Sequence, residues 1–149
     1  LTGLGRDALR VVPVDDHLRL DTVELARRIA VDREAGLAPF LVVGTAGTTA
    51  AGVIDPLPEL AELCAREGLW LHVDAAMSGI AALAPEHRWV NEGVELADSY
   101  TTNPHKWMGV GCDFSASASS FAASARRSDS SSSRFSQAAS QPISALSNC

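Results

Sequence analysis

Lysine occurs once in this 149-residue chain, at Lys106, against eleven arginines. Lys106 is therefore the one side-chain amine able to shed its proton and attack a carbonyl carbon, because a guanidinium stays charged. A carboxylate, Asp74, follows the apolar run Leu69–Val73, and His72 lies two residues before it, on the same face of an extended strand. Asn103, Pro104 and His105 lead into Lys106, and hydroxyls are supplied by Thr45, Thr48, Thr49 and Ser99. An amine and an acid brought together suit carbonyl chemistry. His72, Asp74 and His105 also read as the ligands of a metal-dependent hydrolase, since imidazole and carboxylate suit zinc. That reading leaves Lys106 idle and finds no further ligand cluster upstream. His17 and His87 read as solvated.

These groups need elements to position them. Leu9–Val14 is rich in β-branched residues and reads as a strand. Asp21 is placed to cap a helix, with Glu24 at the capping-box position and Val23, Ala26, Ile29 and Ala30 at helical spacing until Gly36. Phe40–Gly44 is a short unbroken apolar run, the pattern of a parallel strand covered on both faces. The small-residue loop Thr45–Gly52 follows; it lacks the GxGxxG and GxxxxGK[ST] spacings of a nucleotide cradle. Pro58–Arg66 repeats the helical pattern through Leu60, Leu63 and Cys64 and stops at Gly68. Leu69–Val73 is a third buried strand, Pro85–Ala97 a helix with Val90, Val94 and Ala97 on one side, and Ser99–Thr102 a last short strand. Alternating strands and helices predict an α/β fold, a mostly parallel sheet covered by helices and joined by right-handed crossovers. Ligands of such sheets gather at the carboxyl ends of strands, where the acid, the amine, the imidazole and these hydroxyls would meet.

Twelve basic against eighteen acidic side chains give a net charge of −6, which argues against a nucleic-acid partner. No apolar run reaches the roughly 18 residues of a membrane span, and no leader pattern opens the chain. Cys64, Cys112 and Cys149 are far apart and odd in number, so a disulfide framework is not expected and a cytoplasmic location is. The average hides a seam. Residues 1–114 carry a net −8, whereas 115–149 carry +2 and fourteen serines in thirty-five positions. That tail has too little large apolar surface to offset its chain entropy, and is expected to be disordered or to arise from a change of reading frame.

HVDAA at His72–Ala76 followed by NPHKW at Asn103–Trp107, with GTT at Gly47–Thr49, PEHR at Pro85–Arg88 and GVELADS at Gly93–Ser99, resembles the pyridoxal-phosphate-dependent group II amino-acid decarboxylases. Within them the chain is most similar to the aromatic-L-amino-acid decarboxylases, over about residues 1–114. The resemblance implies part of the large domain of the fold-type I pyridoxal-phosphate-dependent transferase fold. It also implies pyridoxal 5'-phosphate as cofactor, an amino-acid substrate and a homodimer. Lys106 would carry the cofactor as a Schiff base, and Asp74 would keep a proton on the pyridine nitrogen so that the ring accepts electrons. Ala76 would lie against the ring. Ser99, Asn103 and His105 would surround the phosphate and its approach, and Thr49 the cofactor region. His72 would either orient Asp74 or sit as a satisfied core histidine.

The expected activity is decarboxylation of an aromatic L-amino acid to its amine and carbon dioxide. Glutamate- or sulfinoalanine-type decarboxylation and oxidising pyridoxal relatives remain open alternatives, as does a non-catalytic truncated protein. Family members begin well before Leu1 and continue past the lysine, so this chain alone is expected to have little or no activity. The ring-stacking and reprotonating residues would lie outside the matched segment.

Overall fold

The computed structural model describes residues 5–111 and 114–119. Asp21 caps helix α1 (Thr22–Glu34), its side chain accepting the backbone N–H groups of Val23 and Glu24 that the first turn leaves open. Glu24 does not complete a capping box; its carboxylate turns to Arg27 and Arg28, 2.7 Å from each. The buried side of α1 is Leu25 and Ile29 with Ala26 beside them, whereas Val23 and Ala30 face solvent.

Four strands follow: β1 (Leu41–Thr45), β2 (Trp70–Ala75), β3 (Ser99–Thr102) and β4 (Ala116–Ser119), with helix α2 (Leu57–Glu67) between the first two. They form one sheet in the order β1-β2-β3-β4, the first three parallel and β4 antiparallel to β3. The α/β class expected from the sequence is present. Helix α2 runs over one face, where Leu57, Leu60 and Cys64 pack without exposure against Val42, Leu71, Val73 and Ala75. Burying leucines of this kind contributes about 1.5–3 kcal/mol each, so this face holds the sheet together.

Three expectations need correction. Leu9–Val14 is not a strand: Val14 alone forms a bridge, to Leu20, and Leu9 and Val11 are exposed. Pro13 has no N–H to give to a ladder, and its carbonyl accepts from Asp21 instead. Pro85–Ala97 is not an α-helix but two 3₁₀ segments, Pro85–Asn91 and Val94–Leu96. Gly93 separates them at φ +85°, and a Cβ there would lie 2.9 Å from Pro58 Cδ, so the chain must bend to pass α2. Val90 and Ala97 are still buried and Val94 packs on the core, as the spacing predicts.

The third correction concerns β1, which is not covered on both faces: Leu41 and Val43 are 44% and 48% exposed, and among the described residues no second layer lies over them. Within the serine-rich stretch, Ala116–Ser119 pair with β3 as β4. The rest of the serine-rich stretch and Cys112 lie outside the described residues.

Hydrogen bonds from Arg27, then from Arg28, hold the Glu24 carboxyl at about 2, well below its ordinary 4.5. A carboxyl lowered on folding stabilises the fold above its ordinary value and loses that contribution as the pH falls towards the lowered one. In acid titrations followed by circular dichroism, Glu24→Gln should therefore be less stable than the parent above 4.5, the gap closing as the pH approaches 2.

Candidate active site

Alternation along β2 sorts its side chains. Leu71, Val73 and Ala75 point into the core under α2, while Trp70, His72 and Asp74 lie on the open face. The parallel register sets Thr45, Asp74 and Thr101 in one row across the three strands, and Val43, His72 and Ser99 in the row before it. Asp74 thus sits at the carboxyl edge of the sheet. Its Oδ1 accepts the N–H of Ala76 at 3.0 Å, and the carboxylate is otherwise exposed to solvent.

Lys106 arrives at the same edge from the neighbouring strand. Asn103 is extended, as a residue before proline must be. Pro104 then starts a single 3₁₀ turn, Pro104–Lys106, closed by the Lys106 N–H on the Asn103 carbonyl at 3.0 Å. Pro104 is buried and Lys106 exposed. Neither Asp74 nor Lys106 forms an ion pair among the described residues. Asn103 Oδ1 is buried and unpartnered. His105 Nδ1 lies 2.9 Å from the carbonyl oxygen of Phe114. A carbonyl only accepts, so Nδ1 carries the proton and, in the neutral ring, Nε2 is left as an acceptor.

The loop after β1 comes to the same edge. The Thr48 hydroxyl accepts the Val53 N–H and the Gly52 N–H meets the Thr48 carbonyl, so Thr49 stands exposed at the tip of a closed turn. Gly47, at φ +88°, abuts the segment after β2: a Cβ there would fall 2.0 Å from Ser78 Oγ.

Of the residues singled out from the sequence, Asp74, Ala76, Asn103, His105 and Lys106 share the carboxyl edge with the Thr49 loop. Ser99 and His72 stand apart from them. Ser99 opens β3, about 7 Å upstream of the Asp74 row along the strand. Its Oγ lies 2.8 Å from both His72 Nδ1 and Trp70 Nε1. His72 is therefore bonded to Ser99 rather than to Asp74. His72, Asp74 and His105 do not gather as metal ligands; among the described residues no cluster of three or more such side chains forms, and the hydrolase alternative has no support.

Three residues to which the sequence assigned no role position this edge. Asp98 is 1% exposed; its Oδ2 accepts the Leu71 N–H at 2.7 Å, and its own N–H meets the Leu71 carbonyl at 2.9 Å, fastening the start of β3 to β2. Asp55 accepts the N–H groups of Leu20 and Thr45, both at 2.8 Å. Trp70 supports Ser99. Period-two alternation along Trp70, His72 and Asp74 was the available signal for Trp70, whereas acids next to short strands look like caps.

The conserved-domain description of the pyridoxal-dependent decarboxylases matches residues 2–119. Human cysteine sulfinic acid decarboxylase is 45% identical over 114 residues, which are 76% of this chain and 23% of that protein. Mouse aromatic-L-amino-acid decarboxylase is 44% identical over 113 residues, 76% of this chain and 24% of that protein. The crystal structure of apo mouse CSAD superposes with a TM-score of 0.75 at 44% identity, covering 77% of this chain and 24% of the other. The chain thus spans about a quarter of the length of the relatives it matches.

Asp98→Ala should lower unfolding stability by about 1–3 kcal/mol in urea titrations, because it leaves the buried Leu71 N–H without its carboxylate. A change within error would mean that the register does not depend on that bond.

Proposed function

The chain belongs to the pyridoxal-dependent decarboxylase family, and from that membership we propose that it carries the lysine-and-carboxylate part of a site converting an aromatic L-amino acid to its amine and carbon dioxide. One observation carries the reading: the exposed carboxylate of Asp74 and the exposed amine of Lys106 close neighbouring parallel strands at one edge. Cysteine sulfinate is the second reading for the substrate, favoured by the 45% identity to the human decarboxylase of that name. The exposed apolar side chains of the open face support a homodimeric whole protein.

The donor set fits pyridoxal 5'-phosphate. Asp74 has one oxygen committed to Ala76 and the other available to hold a proton at the pyridine nitrogen. Lys106 Nζ would hold the aldehyde carbon until the substrate amine takes its place. The small side chain of Ala76 leaves room for a flat ring. Asn103 would receive the phosphate end, His105 would line its approach and Thr49 the cofactor region. The Asn103 amide has a buried, unpartnered oxygen, and turning the amide over would present an N–H donor there. When bound, the cofactor supplies a protonated ring that delocalises the electron pair left by the departing carbon dioxide.

Borohydride reduction of the chain with pyridoxal phosphate, followed by peptide mass spectrometry, should place the label on Lys106; label on the terminal amine alone would sink the assignment. Asp74→Asn should weaken cofactor retention about ten- to a hundred-fold, the loss expected for one charged hydrogen bond, while Lys106 can still be labelled at high cofactor concentration. Unaltered retention would remove Asp74 from the ring nitrogen. The unlabelled chain by itself should release little or no amine, and robust turnover would overturn that expectation.

A further inference from the structure

Ser99 Oγ is shared between two nitrogens at 2.8 Å, and the chemistry of the pair fixes where the protons lie. Indole Nε1 can only donate, so Trp70 occupies one oxygen lone pair. The serine hydrogen then has one nitrogen within reach that can accept it, His72 Nδ1. The opposite arrangement, with Nδ1–H donating, would give the oxygen two incoming bonds and leave its own hydrogen without a partner among the described residues. We propose that Trp70 and Ser99 hold His72 as the Nε2–H tautomer, so that its outer nitrogen offers an N–H donor on the open face, one pleat from Asp74.

Nδ1 is the ring nitrogen nearer the backbone, and it faces Ser99 on the adjacent strand. Nε2 is the distal nitrogen, on the face that carries Trp70, His72 and Asp74. His105 is held the other way, with Nδ1–H donating to the Phe114 carbonyl. The two histidines therefore present opposite characters: His72 a donor, His105 an acceptor. Ser99 is thereby a positioning residue acting through His72 rather than a group on the phosphate. What the His72 donor serves rests on the proposed cofactor site, whereas the tautomer does not.

Nitrogen-15 correlation spectra of the ring nitrogens test this directly on the intact chain, which has only four histidines. The expected pattern is Nε2–H for His72 and Nδ1–H for His105, with exposed His17 and His87 as references. Ser99→Ala should collapse the His72 preference to a mixture, and Ser99→Thr, which keeps the hydroxyl, should restore it. Trp70→Phe should weaken it. Pyridoxal-phosphate affinity, read by titration, should fall about five-fold in Ser99→Ala and recover in Ser99→Thr. An Nδ1–H signal for His72, or a preference unchanged in Ser99→Ala, overturns the proposal. Loss of the tautomer with unchanged affinity overturns the donor's part in the site. If Lys106 takes no label while the tautomer pattern holds, the decarboxylase reading fails and the tautomer assignment stands.

Discussion

The register between β2 and β3 is the constraint on which the site depends. Parallel pairing sets Asp74 beside Thr101, so the chain leaving β3 reaches the edge that Asp74 already occupies, and a turn begun by Pro104 places Lys106 there. A slip of one residue would turn every side chain of one strand to the other face and send its polar set into the core. Asp98 opposes such a slip. Its carboxylate and its backbone N–H clasp Leu71 from both sides, in a place nearly sealed from water where an unmade bond is costly.

Division of labour between the two faces follows from the same pleat. Leu71, Val73 and Ala75 meet α2 and hold the sheet, while the residues between them are spared from packing and carry polar chemistry. Trp70 belongs to both roles, a large apolar ring whose single N–H is spent on Ser99. The crossover from β2 to β3 is shaped by tight approaches. The Asn91 amide reaches the Gly79 carbonyl at 3.1 Å and the Tyr100 hydroxyl at 3.2 Å, so the irregular segment is tied to the sheet by polar contacts rather than by a helix.

Much of this was legible in the residues. Asp21 reads as a cap and is one; the apolar beat of α2 and its stop at Gly68 hold in the structure; Ser99–Thr102 is β3 to the residue. The failures share a cause. A β-branched run suggests a strand, but among the described residues only Val14 of Leu9–Val14 finds a bridge partner; helical spacing over Pro85–Ala97 suggests a helix, but Pro58 of α2 crowds its middle. Local pattern reports what a segment prefers, and partners elsewhere in the chain decide whether it is allowed.

By itself the sequence determined the chemical inventory: one amine, an acid closing an apolar strand, two histidines flanking them in order, and a family signature in their spacing. Side-chain type and separation along the chain suffice for that, because they set which groups exist and roughly which strand end bears each. Only the tertiary structure decided which hydrogen bonds those groups make. That Ser99 turns to His72 and Trp70, that His105 turns to Phe114, and that Asp98 rather than a cap residue clasps β2 all depend on strands being side by side. Hydrogen bonds act over about 3 Å, and residues distant in sequence come that close only after the sheet has formed.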